Sequence, residues 1–460
     1  MNVRQIVEQE SYSPKRIARN TGYLYLRMIL LTVAELVSVR LALSALGMKG
    51  YELFAAVAGV VSTLRFLNGK LEETGLRFLS IAFGRPEDLK KAFAGNLLLT
   101  LSLMAGMVVL GETAFRWFVG THLALPAGLE SEALPVFHLG VTVVCLRTLR
   151  LPFSSLVVAE EKMGFLAGVS LLEALLMLAA AGGAGLWLSG TPSAYAALLL
   201  AAEVLLLAVF ALRCRAVWMG PRELVANGLR GRGLQGAFFS WSSLSSLAHV
   251  LKYQGVCLLL TQLAGVAYAA TWRVSMGFGF GLYGVVGNFQ QAYAPQFVKL
   301  WGCGRVVLFR RLLSRTLLWS FALMALVSVP LIIWTEDVVG IWLGEKAPSE
   351  SVAFMRCVLA HFLVDSLAAP LHSAIVATGR IARYQICVSL VMGSGFALAA
   401  AALTMGLPSW SALAAVAFTN ALAVLYRAVY VRRFVRTGAD GEISVPDRED
   451  DVGFEDISES

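Results

Sequence analysis

FLAGVSLLEALLMLAAAGGAGLWL, residues 165–188, carries a single charge, Glu173, in 24 positions. As a helix it rises about 36 Å at ~1.5 Å per residue, enough to cross a hydrocarbon core of about 30 Å. It is a membrane span, and runs like it recur along the chain. The composition agrees: 58% hydrophobic and 15% charged residues, with a mean hydropathy of +0.71. A soluble domain has roughly 45–50% apolar and about 25% charged residues, and could not hide this much apolar surface. Spans are placed at 20–46, 51–78, 92–110, 135–155, 165–188 and 194–212, then at 238–263, 266–295, 312–334, 351–376, 386–405 and 410–431. The expected fold class is an all-α integral membrane protein with twelve transmembrane helices in two six-helix lobes.

Basic residues orient the spans, because short loops rich in Lys and Arg stay on the cytoplasmic side. Every second connection is basic: Arg85, Lys90 and Lys91; Arg147, Arg150 and Lys162; Arg213 to Arg232; Lys299 to Arg311; Arg380 and Arg383; Arg432, Arg433 and Arg436. The alternate connections carry only Lys49, Arg116 and Lys346. Both termini are therefore expected in the cytoplasm. The predicted organisation is a cytoplasmic leader (1–19), an N-lobe (20–216), a polar linker (217–235), a C-lobe (236–435) and an acidic, disordered tail (436–460). The tail is too poor in apolar residues to offset the entropy of ordering. The leader lacks a cleavage site, so the first span is expected to be retained.

The chain also repeats itself. Leu46-Gly-Met-Lys-Gly-Tyr51 lines up with Leu263-Ala-Gly-Val-Ala-Tyr268 (268 − 51 = 217). Pro152-Phe-Ser-Ser-Leu-Val-Val-Ala159 lines up with Pro370-Leu-His-Ser-Ala-Ile-Val-Ala377 (370 − 152 = 218). Because each repeat holds an even number of spans, the halves share one orientation and should be related by an axis along the membrane normal.

Polar residues at membrane depth are costly unless they face a partner or a cavity. In the eighth span Arg273, Gly277, Gly281, Gly284, Asn288 and Gln291 recur every three or four residues and so share one face. Ser62, Arg65, Gly69 and Glu72 form the same stripe 219 residues earlier (281 − 62 = 219). Glycine stripes also serve close helix packing, which is the competing reading of Gly277, Gly281 and Gly284. On the seventh span Ser242, Ser245, His249 and Lys252 share a face, and an offset of 217 makes Glu35 the counterpart of Lys252 (252 − 35 = 217). Two charges looking into one cavity could pair when it is empty and separate around cargo; an internal structural pair is the alternative.

Other features are less specific. Arg147 and Asp365 occupy equivalent positions (365 − 147 = 218) and read as snorkelling residues near inner span ends. His361 and His372 read as packing or lining residues, and the six cysteines as reduced packing residues without metal spacing. With no nucleotide loop, metal motif or nucleophile elbow, no cofactor, metal or nucleic-acid partner is expected, and a membrane glycosyltransferase or polymerase is disfavoured.

Several passages resemble the multidrug/oligosaccharidyl-lipid/polysaccharide (MOP) exporter superfamily, in particular its O-antigen-type flippases. They are Arg65-Phe-Leu-Asn-Gly69, Leu76-Arg-Phe-Leu-Ser80, Ala159-Glu-Glu-Lys-Met163, Leu171-Leu-Glu173, His249-Val-Leu-Lys-Tyr-Gln-Gly255, Asn288-Phe-Gln-Gln-Ala-Tyr-Ala-Pro295, Ile341-Trp-Leu-Gly344 and Ala377-Thr-Gly-Arg380, in order over nearly the whole chain. The resemblance implies two lobes in a V around a central cavity, a monomeric transport unit in the bacterial cytoplasmic membrane, and alternating access. It further implies an undecaprenyl-pyrophosphate-linked oligosaccharide as cargo, with polysaccharide-assembly proteins as partners. Such cargo suits a cationic cavity, for which Arg65, Lys252, Arg273, Asn288 and Gln291 are the candidate binding residues. Glu35, Glu72 and His249 are coupling or gate candidates, the ion being H⁺ or Na⁺. A cation-coupled drug or metabolite antiporter of the same fold, with Glu35 as the ion-binding carboxylate, is the competing expectation.

Overall fold

The computed structural model describes residues 14–121, 128–187, 190–343 and 350–440, and these are helical almost throughout. Ten helices among them are long and apolar enough to cross a membrane: Lys15–Gly47, Lys49–Ala82, Pro86–Ala114, Glu130–Ala159, Met163–Gly185, Pro192–Arg213, Val306–Ile333, Ser351–Thr378, Ala382–Thr404 and Ser411–Arg433. They are the predicted spans one to six and nine to twelve. The seventh and eighth are helical too. The seventh enters from Pro221–Val250 and continues through π-helical turns at Leu251–Gly255 and Leu260–Ala264, and the eighth is Val266–Gly302. Their hydropathy is lowered by the serines, lysine, arginine, amides and glycines noted in the sequence.

The chain divides into two compact units, Lys15–Phe239 and the portion from Ser240 onward. The boundary corrects the expected linker. Residues 221–235 belong to an unbroken helix that starts at Pro221, a residue suited to a first helical turn. Gln235 donates from Nε2 to the Ala92 carbonyl at 3.0 Å, so this stretch is packed into the first unit. The helix that opens the first span already begins at Pro14, inside the expected leader, and the last helix continues to Asp440, past the expected start of the tail. The remainder of leader and tail lies outside the described residues.

Each unit uses the same internal neighbours. In the first, span two packs on three and four, four on three and six, and five on six and one; in the second, eight packs on nine and ten, ten on nine and twelve, and eleven on twelve and seven. A short helix follows span three (Arg116–Thr121) and span nine (Thr335–Leu343) alike. The turns repeat as well. Among the described residues every one with positive φ belongs to a pair: Gly47 with Gly265, Gly84 with Gly304, Gly128 with Glu350, Glu161 with Gly379, and Gly190 with Gly406. Gly47 (φ 69, ψ 170) and Gly265 (φ 108, ψ 162) take an extended, positive-φ conformation that is essentially reserved for glycine.

That pair sets the register between spans one and seven at 218 (265 − 47), one residue beyond the offset expected from the sequence. Burial follows it: Leu24 and Ser242, Ala34 and Lys252, Ser38 and Val256, and Ala42 and Leu260 are all buried. Lys252 is therefore the counterpart of Ala34, not of Glu35. Spans two and four meet through Leu53, Val57, Val61, Phe137 and Val141, and spans eight and ten through Trp272, Met276, Phe354, Val358 and Phe362.

Candidate transport faces and buried polar clusters

The stripe on span eight is an uncovered face. Arg273, Gly277 and Gly281 are exposed, and Gly284, Asn288 and Gln291 are half-buried. A Cβ added at Gly277 or Gly281 would meet nothing within 4 Å, so these two glycines do not serve helix packing. Gly279 does. A Cβ there would run into the Phe362 ring and stand 2.6 Å from Val358. Arg273 donates from Nε to the Cys257 sulfur at 3.3 Å, and Asn288 from Nδ2 to the Gly284 carbonyl at 2.9 Å. On span two Ser62, Arg65 and Gly69 are exposed and Glu72 is half-buried; Arg65 sits in a short 3₁₀ stretch, Thr63–Leu67. Glu35 and His249 are exposed as well.

Lys252 departs from this pattern. Its side chain is fully buried inside the second unit, where Nζ donates to Asn420 Oδ1 at 2.9 Å and lies 4.8 Å from the centroid of the Tyr253 ring. Asn420, itself buried on span twelve, donates from Nδ2 to Asp365 Oδ1 at 2.9 Å. Tyr283 of span eight donates its hydroxyl to the Asp365 carbonyl at 3.3 Å. Beside this chain the Tyr253 hydroxyl is 3.1 Å from His361 Nε2. A second group ties spans ten, eleven and twelve, with Arg427 Nε donating to the Tyr384 hydroxyl at 3.0 Å and His372 Nδ1 2.9 Å from that same oxygen. A lysine and an aspartate at this depth must be held by hydrogen bonds, and here they are.

The first unit has its own cluster. Glu203, buried in the leucine-rich sixth span, binds the guanidinium groups of both Arg147 and Arg150, and Arg150 reaches on to Glu173 at 3.4 Å. Arg65 lies within electrostatic range of all four. Asn68 donates to the Thr148 hydroxyl at 3.0 Å, joining spans two and four.

Arg147 and Asp365 are thus not snorkelling at span ends. Asp365 stands 14 residues from Ser351 and 13 from Thr378, about 20 Å from either end at ~1.5 Å per residue. Their partners are equivalent too, since Glu203 and Asn420 share the offset that relates buried Tyr195 to Ala412 and Phe210 to Arg427 (420 − 203 = 217). The sequence reading missed Glu203 and Asn420. A lone carboxylate in Ala201-Ala-Glu-Val-Leu-Leu-Leu207 was the available signal for the first, its pseudo-equivalence the signal for the second. Among the described residues no three His, Cys, Asp or Glu side chains converge as a metal site requires. Cys145, Cys214 and Cys257 are buried as expected of packing residues, whereas Cys303 is exposed.

No protein-family model matches the sequence, and neither does any curated protein. Solved structures do match. A MATE transporter in complex with MaD3S aligns over 93% of this chain and 97% of its own at 13% identity, with a TM-score of 0.74. A MOP superfamily transporter from Pyrococcus furiosus, whose reversed binding-pocket polarity suggests a different function for it, aligns over 92% and 96% at 14% identity and a TM-score of 0.73. An outward-facing multidrug resistance MATE family transporter of the MOP superfamily gives 93% and 96% at 12% and 0.72. The chain therefore has the fold of MATE family transporters of the MOP superfamily, which is the fold class the sequence led us to expect.

Proposed function

We propose that the protein is a flippase that carries a prenyl-pyrophosphate-linked oligosaccharide from the cytoplasmic to the outer leaflet by alternating access. One observation carries the reading: Arg273, Gly277 and Gly281 are exposed on span eight, with Phe280 beside them, where a lipid-facing helix would be apolar throughout. An uncovered guanidinium at that depth belongs beside water and cargo. Arg273 and Arg65 offer planar, permanently charged donors for phosphate oxygens, Asn288 and Gln291 offer amides for sugar hydroxyls, and the bare glycines leave room for a bulky headgroup. Lys252 stands outside the binding face, because its buried ammonium is spent on Asn420. The prenyl tail stays in lipid, and the reading needs no group-transfer chemistry.

Arg273→Ala and Arg65→Ala should each abolish surface polysaccharide and accumulate its lipid-linked precursor in the inner leaflet, with normal insertion. Wild-type polysaccharide in both variants refutes the assignment. The exposed Glu35 and the MATE neighbours favour one rival, a cation-coupled drug antiporter. Drug efflux lost in Glu35→Gln with polysaccharide intact would establish that reading instead.

A further inference from the structure

The two units differ in what covers the opening turns of span three and of its counterpart, span nine (Val306–Ile333). Gly84 and Gly304 turn the chain into these helices, at an offset of 220 (304 − 84) that also pairs buried Asn96 with Thr316 and buried Thr100 with Ser320. On that register Lys91, Ala94, Gly95 and Leu98 correspond to Arg311, Ser314, Arg315 and Leu318. In the first unit this face is packed under the helix that starts at Pro221. A Cβ on Gly95 would stand 2.9 Å from Gln235 Nε2, one on Gly231 would stand 3.0 Å from the Lys91 carbonyl oxygen, and one on Gly228 would run into Leu98. In the second unit Arg310, Arg311, Ser314 and Arg315 are exposed, and Leu318 is 65% exposed. Three guanidinium groups thus share one face, with Arg311 and Arg315 at the i, i+4 spacing where like charges repel. Trp319, exposed one turn further on, is of the kind that marks a membrane interface, so the arginines stand on the water side of it.

We propose that the acidic stretch 441–460 docks on this arginine face, covering span nine by charge as the linker helix covers span three by close packing. The stretch follows span twelve as the linker follows span six. It holds eight Asp and Glu residues against one arginine, Arg448, a composition suited to binding a basic surface. Carried forward on the 217 offset of spans six and twelve, the linker positions 228–235 fall on 445–452, which include Asp447, Glu449, Asp450 and Asp451. Spans nine and twelve are in contact, and because nine to twelve are four spans, the start of the first and the end of the last lie on one side of the membrane. The last helix ends at Asp440, about 10 Å beyond the close of its apolar part at Arg433. From there twenty extended residues span up to about 70 Å, so the arginines are well within reach. An arginine at the place of Gly95 excludes a close-packed helix and calls for a charged cover, and carboxylates laid on it would pair with guanidinium groups that otherwise repel one another. The docking is independent of the cargo and, being between exposed groups, weakens as salt rises.

The test uses the full chain in phosphatidylcholine nanodiscs at low salt, with a glutamate-specific protease and cleavage at Glu449 followed by mass. Arg310→Gln, Arg311→Gln and Arg315→Gln combined should speed that cleavage by about tenfold, the joint effect of three exposed ion pairs, and about 0.5 M sodium chloride should abolish the difference from wild type. Arg432→Gln with Arg433→Gln, equally exposed and nearer in sequence, should leave the rate unchanged. Arg311→Glu with Arg315→Glu should also speed cleavage, and Asp450→Lys with Asp451→Lys in the same chain should slow it again, a rescue that a folding defect would not give. Equal cleavage of wild type and the triple variant overturns the proposal, as does protection that depends on Arg432 and Arg433 instead. Wild-type cleavage that rises to the triple variant's rate in phosphatidylglycerol nanodiscs also overturns it, because the arginine face would then belong to an anionic lipid headgroup.

Discussion

At matching positions on matching helices, the first unit sets an arginine against a glutamate and the second an aspartate against an asparagine. Arg147 and Asp365 share one place in the repeat, and Glu203 and Asn420 the other. The backbone around them is conserved down to the turns, yet the polarity is inverted. The first arrangement is closed: two guanidinium groups converge on one carboxylate, and Arg150 is further held by Glu173. The second is an open series, in which Asn420 accepts from the Lys252 ammonium on one side and donates to the Asp365 carboxylate on the other. A repeat that dictates helix packing leaves charge free to diverge, so one half closes on an ion-pair lock where the other links two charges through an amide.

The largest effects should come from breaking these two clusters. Glu203→Leu leaves Arg147 without its carboxylate and Arg150 with Glu173 alone, and because both arginines are only half-buried the loss should be about 2–3 kcal/mol. Asn420→Leu takes the hydrogen-bond partner from a fully buried ammonium and from Asp365 at once and should cost about 3–5 kcal/mol. Thermal unfolding of the detergent-purified protein checks the ranking, and a larger loss for Glu203→Leu would reverse it.

The register between spans one and seven is tested by two lysines at adjacent positions. Ala34→Lys places an ammonium where Lys252 sits in the other half but without an Asn420 to receive it, at a cost of about 3 kcal/mol. Glu35→Lys, on an exposed position, should stay within about 0.5 kcal/mol. Were Glu35→Lys the more damaging of the two, the one-residue shift would be wrong and Glu35 would regain its place opposite Lys252.

That shift marks where sequence reasoning reached its limit. Hydropathy located ten of the spans, because leucine and alanine runs such as 195–212 have no competing interpretation. Spans seven and eight, placed in the same way from their apolar runs, carry more polar residues and fall outside those ten. Periodicity identified the stripe from Arg273 to Gln291 because a helix displays any spacing of three and four on one face. It could not tell which face is covered, so Lys252 and Arg273 looked alike although one is buried and the other exposed. Arg147 and Asp365 were misread for a related reason. Counting residues from a basic loop gives an approximate depth, but only packing shows that Glu203 and Asn420 stand opposite them.

Covered and uncovered faces of span eight can be separated two residues apart. Gly279→Ala forces a methyl group against Phe362 and Val358 and should cost about 1–3 kcal/mol, the usual range for an overpacked core. Gly277→Ala meets nothing and should leave the melting temperature unchanged within error. It would impair transport only if the bare face receives cargo. Equal destabilisation by both would return the stripe to a role in helix packing.

The smallest effect concerns the turns that the halves share. Glu350 (φ 62, ψ 8) does in the second unit what Gly128 does in the first, and it holds a left-handed conformation that costs an L residue roughly 1–2 kcal/mol. Glu350→Gly relieves that strain and also removes a buried carboxylate oxygen that has no hydrogen-bond partner. Against this stands the greater freedom of glycine in the unfolded chain, about 0.5–1 kcal/mol. The balance favours stabilisation by about 0.5–1 kcal/mol, seen as a small rise in melting temperature. Glu161, the other non-glycine at such a turn, should not gain in the same way. Its side chain lies 3.7 Å from the Arg16 guanidinium, and Glu161→Gly would forfeit that contact as it relieved the backbone. A rise for Glu350→Gly with no change for Glu161→Gly would show that the paired turns are equivalent in backbone geometry alone, each half having fitted its own side chains to them.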